Sequence, residues 1–321
     1  MPKDDIRNLN KAVITGATGT IGIALINECV RRNIEVIVLA NPGSKRIDRI
    51  KQNDLVRVIF CGLDELCKEG LAENITELAG SSIDAFFHLA WAGTFGSDRD
   101  NLELQQRNCE YALSAVRLAK DLGCHTFVGS GSQAEYGRVS GMLRDDTPCN
   151  PENGYGTYKL KCGEVTRDLC RQLGLVHVWP RILSIYGPYD RDETMIMSAA
   201  RALIEGSSPR LTKGEQLWDY LYCEDAARAL VMMAIKGVCG RIYPLGSGVA
   251  RPLRDYVEML RDAANPAVTL KFGEVPYSPK QVMHLQADIS KLTADTGFLP
   301  EISFEEGIKR TVNWVSENKK A

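Results

Sequence analysis

Apolar residues in the first half of the chain follow two alternating rhythms. Short apolar runs fall at 12–15, 35–40, 56–61, 85–90 and 126–130, and read as strands. Between them lie segments with helical spacing, such as 21–32 and 102–122. In the second of these, Leu104, Tyr111, Ala115, Leu118 and Leu122 form one stripe. Strand–helix alternation predicts parallel strands with right-handed crossovers, a doubly wound α/β sheet. A long helix over 154–173 and a strand over 176–182 continue it.

Beyond Tyr186-Gly187-Pro188 the rhythm loosens. Helices are expected at 195–205, 224–236, 253–264 and 303–317, with a strand at 241–245. The expected division is a dinucleotide-type sheet domain over 1–182, completed by a strand near 241–246. Residues 183–321 form mostly a smaller, interleaved α/β substrate-binding lobe.

Composition narrows the function classes. The 321 residues carry 39 Lys and Arg against 41 Asp and Glu, a net charge of −2. These charges are scattered, so no nucleic-acid partner is expected. The ten cysteines show neither CxxC nor metal-ligand spacing. They read as buried thiols of a cytoplasmic protein, with no metal. No apolar run is long enough to span a membrane; 229–235 is far too short.

The sharpest local signal is Val13-Ile14-Thr15-Gly16-Ala17-Thr18-Gly19-Thr20-Ile21-Gly22. A strand enters three glycines spaced three apart and a helix follows, the pattern of a dinucleotide pyrophosphate loop. Gly16 permits the turn, Gly19 the approach of the phosphates, and Gly22 close helix–strand packing. Thr18, Thr20 and Ile21 complete the loop. The second expected strand ends Leu39-Ala40-Asn41, where NAD-selective sites usually carry an acidic residue. Asn41, Ser44 and Arg46 follow instead, a set suited to a 2′-phosphate. NADP(H) is therefore favoured, with NAD(H) as the alternative.

A third signal is Tyr155-Gly156-Thr157-Tyr158-Lys159, which puts Tyr155 and Lys159 on one helical face. It follows the fifth expected strand, whose end carries Ser130-Gly131-Ser132-Gln133-Ala134-Glu135-Tyr136-Gly137. Ligands of such sheets sit beyond the carboxyl ends of the strands. With His88-Leu89-Ala90, Asn108, Ile185-Tyr186-Gly187-Pro188 and the segment from Asp219 to Ala226, the chain resembles the extended short-chain dehydrogenase/reductase family. That family comprises nucleotide-sugar epimerases, dehydratases and ketoreductases. The resemblance covers nearly the whole chain and implies a Rossmann-type fold.

The resemblance also implies roles. Tyr155 exchanges the proton of the substrate hydroxyl. Lys159 holds the nicotinamide ribose and favours the phenolate. Ser132 bonds the substrate oxygen. Leu63, Leu89, Ala90, Trp91 and Asn108 join the cofactor site. A homodimer through the helices at 102–122 and 154–173 is expected from Leu102, Ala112, Leu160 and Val165.

Departures from the family pattern narrow the reaction. Dehydratases carry Asp-Glu directly after the catalytic Ser or Thr; here stand Gln133 and Ala134, which cannot do acid–base work. Glu135 lies one position late and is expected to point to the other side of a strand-like segment. Relatives carry Arg where Trp218 stands and Asn where Ser184 stands. Arg191, Arg210, Lys213 and Lys280 are available as replacement cations. Ser184, Trp218 and Lys280 are the candidate substrate contacts, and Trp218 and Tyr220 either stack on a base or pack in the core of the smaller lobe. The leading expectation is NADP(H)-dependent reduction of a 4-keto nucleotide sugar. An NAD-dependent 4-epimerase comes second, and a non-catalytic NADP sensor last.

Overall fold

The computed structural model describes residues 6–318. In chain order the sheet domain opens with β1 (Lys11–Thr15), α1 (Thr20–Arg31), β2 (Glu35–Ala40), β3 (Val56–Phe60), α2 (Leu71–Ala79) and β4 (Ala85–His88). It continues with α3 (Leu102–Asp121), β5 (Thr126–Val128), β6 (Gly131–Ser132), α4 (Gly154–Leu173) and β7 (Val176–Ile182). Then come β8 (Ser184–Tyr186), α5 (Met195–Ile204), β9 (Leu217–Trp218), β10 (Tyr220–Tyr222) and α6 (Cys223–Lys236). The chain closes with β11 (Ile242–Leu245), β12 (Arg251–Pro252), α7 (Leu253–Ala264), α8 (Ser290–Thr296) and α9 (Phe304–Glu317).

The main sheet runs β11-β7-β5-β4-β1-β2-β3, all neighbours parallel, with β6 also on β7. This is the doubly wound Rossmann-type arrangement. Side chains alternate across it: Ala12, Ile14, Val36 and Val38 pack toward α1 and α6. Val13, Ile37, Leu39 and Phe86 pack toward α2 and α3. Both faces are covered, which is why the strands read as continuous apolar runs. Among the described residues no helix is long and apolar enough to cross a membrane.

Two strands end two residues earlier than their apolar runs. β4 stops at His88, two residues short, because the chain from Leu89 wraps the glycine loop. A Cβ on Gly16 would lie 2.5 Å from the Ala90 nitrogen. β5 stops at Val128, where Gly129 and Gly131 make room for the Trp179 ring. The sequence reading lacked α2 and α8. α2 has nine residues between left-handed Gly70 and Gly80 and buries only Leu71, Ile75 and Ala79. Seven of the cysteines are buried, but Cys67 and Cys239 are exposed.

Aromatic rings stack across β4, β5 and β7 in the order His88, Phe127, His177, Trp179, at 6.2, 6.3 and 5.7 Å between centroids. Burial pushes both imidazoles down to about 3, so they are neutral in the fold. An unfolded histidine titrates near 6.5, so below that pH the unfolded chain binds protons that the fold does not. Stability from these two groups is complete above pH about 6.5 and is lost as pH falls toward about 3. The loss approaches about 1.4 kcal/mol per pH unit per histidine within that window. Thermal melts between pH 7.5 and 5 are expected to show Tm falling below about 6.5. A Tm that is flat from 7 to 5 would contradict neutral burial of these rings.

Candidate active site

The glycine loop is shaped by three different demands. Gly16 adopts φ +74° and lies against the Leu89–Ala90 backbone. A Cβ on Gly22 would meet the Gly16 oxygen at 2.5 Å and Ala17 atoms at 2.6 and 2.7 Å. At Gly19 a Cβ would meet nothing nearer than the Gly16 oxygen at 3.8 Å. Packing within the chain thus requires Gly16 and Gly22, whereas Gly19 faces open space. Gly19 also caps α1 without any side-chain hydrogen bond, and the first turn of α1 carries no acidic residue. An uncapped helix start with exposed N–H groups attracts a phosphate.

Across the same cleft, of about 520 Å³, lie Ser132, Tyr155 and Lys159. α4 begins at Gly154 because the Asn153 side chain accepts from the Gly156 N–H at 2.8 Å. Tyr155 therefore sits in the first helical turn and Lys159 one turn on. Burial holds the Tyr155 phenol above its usual value, opposed by a hydrogen bond with Ser132 and by the nearby charge of Arg99. The Arg99 guanidinium lies 4.8 Å from the Tyr155 ring centre. The Lys159 ammonium donates to the Ser130 carbonyl at 2.6 Å and sits 3.7 Å from the centre of the Trp91 ring. Burial lowers it to about 8. The Lys159 ammonium also lies 5.8 Å from the centre of the Tyr155 ring.

Residues 12–246 match the NAD dependent epimerase/dehydratase family. The chain belongs to that family. It is accordingly an oxidoreductase of the extended short-chain dehydrogenase/reductase type. It is 24% identical to a dTDP-glucose 4,6-dehydratase of Neisseria meningitidis, over 97% of this chain and 94% of the relative. It is 25% identical to one of Escherichia coli, over 96% and 94%. Among solved structures it resembles the UDP-N-acetylglucosamine 4-epimerase of Methanobrevibacter ruminantium in complex with UDP-N-acetylmuramic acid. There the TM-score is 0.84 at 23% identity, covering 97% of this chain and 99% of that one. It also resembles the UDP-glucose 4-epimerase of Thermus thermophilus in complex with NAD, with TM-score 0.82 at 21% identity, covering 96% and 99%.

The other expected epimerase/dehydratase site residues fall into three groups. Gly16, Gly19, Thr20, Ile21, Gly22, Arg46, Leu89 and Trp91 line the cleft. Thr18, Ala90 and Asn108 build its frame. The Thr18 carbonyl accepts from Arg49, and Ala90 supports Gly16. The Asn108 amide clamps both the N–H and the C=O of Ala92 at 2.9 Å, fixing the loop that carries Trp91. Asn41, Ser44, Leu63 and Lys280 do not line the cleft. Asn41 accepts from Gly43 N–H and Ser44 from Arg46 N–H, closing the turn after β2. Leu63 packs into the core beside α2, and Lys280 is exposed.

Trp218 and Ser184, two of the departures from the family pattern, bond each other: the indole N–H donates to the Ser184 hydroxyl at 2.8 Å. Trp218 also walls a second cavity of about 260 Å³ with Gln216, Tyr220, Phe272 and Arg210. Asp219, by contrast, is structural. It is fully buried and accepts from the Ser247, Gly248 and Ala287 N–H groups. Sequence reasoning missed Arg99 and Arg49, because an isolated arginine in a short 3-10 turn carries no periodic or motif signal. Among the described residues no group of His, Cys, Asp or Glu could hold a metal ion.

Proposed function

We propose that the protein reduces a 4-keto sugar carried on a nucleotide, using NADP(H), with Tyr155 as proton donor. The observation that carries this reading is that Gly19, Ser132, Tyr155 and Lys159 line one cleft. The cofactor fits the chain's own features: open space at Gly19, a free helix start, and Arg46 on the cleft wall. When bound it supplies the hydride. The protein does the rest. Ser132 donates to the substrate oxygen as charge develops there, and Tyr155 delivers the proton. A phenol held above its usual value is fully protonated near neutral pH, which suits the reducing direction.

Several observations support the finer points. No carboxylate ends β2, and Arg46 stands nearby, which favours a 2′-phosphate. Gln133 and Ala134 provide no acid–base pair beside Ser132, which argues against dehydration. The Trp218 and Tyr220 rings offer a stacking wall for a base, and Arg210 a cation at its edge. Half-buried Leu160 and Val165 and exposed Leu102 on α3 and α4 favour a homodimer. Light scattering is expected to give twice the mass of the chain; a single-chain mass counts against it.

A second reading, 4-epimerisation with resident NAD, draws on the two solved epimerases of matching fold. The cofactor released from heat-denatured purified protein separates the two. NADP, or nothing, supports reduction; stoichiometric NAD supports epimerisation and sinks the leading reading.

Activity is also expected to depend on pH through Lys159. Its charged form is lost as pH rises through about 8. For carbonyl reduction, kcat/KM is expected to be flat near neutrality and to fall above that value. A profile still rising at pH 10 would show that the ammonium is not required.

A further inference from the structure

Behind Ser132 the structure buries an ion pair that the reaction does not touch. Glu135 is 0% and Arg181 3% exposed. One Glu135 oxygen accepts from the Ser132 N–H at 2.8 Å and from the Trp179 indole N–H at 3.1 Å. The other accepts from Arg181 Nε at 2.6 Å. The Arg181 guanidinium lies 4.4 Å from the centre of the Tyr136 ring. Residues 133–135 form a 3-10 turn rather than the strand expected from the sequence, and this turn swings Glu135 back under its own N-cap, Ser132.

The neighbouring backbone is cut to admit the network. A Cβ on Gly131 would lie 2.4 Å from the Trp179 nitrogen and 2.7 Å from a Glu135 oxygen. One on Gly129 would lie 2.3 Å from the Trp179 ring. A buried ion pair is weak evidence for stability, since well-packed apolar residues often do as well or better. Its position suggests a different use. With the Ser132 N–H fixed by Glu135, the Ser132 hydroxyl oxygen accepts from the Ala134 N–H at 3.2 Å. That leaves the serine's single O–H proton on the cleft side, in the hydrogen bond it shares with Tyr155.

We infer that Glu135, locked by Arg181 and Trp179, is a positioning residue that aims the Ser132 hydroxyl at the reacting oxygen. The inference rests on the carbonyl-reduction reading only for its kinetic consequence. Removing one partner leaves a buried charge and destabilises the fold, so the informative variant replaces both: Glu135→Leu with Arg181→Met. In NADPH-dependent reduction of a 4-keto nucleotide sugar, kcat is expected to fall at least about tenfold, with substrate KM changed by less than about threefold. In a Ser132→Ala background the same double change is expected to cost almost nothing further, because its effect runs through the serine. An equal loss of kcat with and without Ser132, or no loss at all, would overturn the proposal.

A second readout does not depend on turnover. In the substrate-free protein, amide exchange over residues 131–137 is expected to quicken at least about tenfold in the double variant. α4 should stay protected. Unchanged exchange there would overturn the positioning role whatever the reaction proves to be. If exchange quickens but the wild type turns over no keto-sugar nucleotide, the reaction assignment fails and the positioning role stands.

Discussion

Tyr155→Phe is expected to lower kcat for carbonyl reduction by about 10²–10⁴-fold while leaving cofactor affinity near that of the wild type. The substitution removes one oxygen and keeps the ring. The ring contacts with Trp91 at 6.2 Å and with the Arg99 guanidinium at 4.8 Å both survive. The first turn of α4 is capped by Asn153, so its backbone does not depend on the phenol. What disappears is the phenolic O–H, which shares a hydrogen bond with Ser132. Hydride transfer without proton delivery leaves an alkoxide facing Ser132 alone, and the barrier rises accordingly. Steady-state kinetics with a cofactor titration check this. A kcat within about threefold of wild type would remove Tyr155 from the chemistry and favour a cofactor-sensing role.

Two glycines three positions apart are expected to respond in opposite ways. Gly19→Ala should change Tm little, because φ is −87° and the new Cβ meets nothing nearer than 3.8 Å. It should still weaken cofactor binding at least about tenfold, about 1.4 kcal/mol, by occupying the approach to the α1 N-terminus. Gly22→Ala puts a methyl 2.5–2.7 Å from the Gly16 and Ala17 backbone. Neither helix nor turn can yield without moving the end of β1, a central strand of the sheet, so about 1–3 kcal/mol of stability should be lost. Thermal melts of the cofactor-free variants, with a fluorescence titration of each, distinguish the two. Equal destabilisation, or Gly19→Ala binding like wild type, would place the cofactor elsewhere.

Much of this was legible in the sequence because it is written in periodicity. Strands buried on both faces read as unbroken apolar runs, and 20-residue helices such as α3 and α4 leave long stripes. The glycine loop was legible because its spacing encodes steric demands: a Cβ is crowded at Gly16 and Gly22, while Gly19 faces open space. α2 escaped because three buried residues in nine make too short a stripe. The contacts made by Arg99, Arg49 and Glu135 escaped for another reason. Each links segments distant in the chain or folds back through a turn, and no single-sequence pattern encodes that. The Trp218–Ser184 bond shows the same limit: two separate departures from the family pattern are one contact in space. Asn108 was placed near the cofactor, yet its amide is spent on Ala92, so its influence runs through the loop that carries Trp91.

Whether Ser132, Tyr155 and Lys159 act together on a carbonyl beside the nicotinamide is tested most directly by isotope transfer. The protein is mixed with NADPH deuterated at its transferable hydrogen and a 4-keto-6-deoxy nucleotide sugar, and the sugar is analysed by mass spectrometry and NMR. Wild type is expected to yield a sugar alcohol with deuterium at C4, and Tyr155→Phe almost none in the same time. A deuterium-free product, or undiminished transfer in Tyr155→Phe, would contradict the assignment of the cleft.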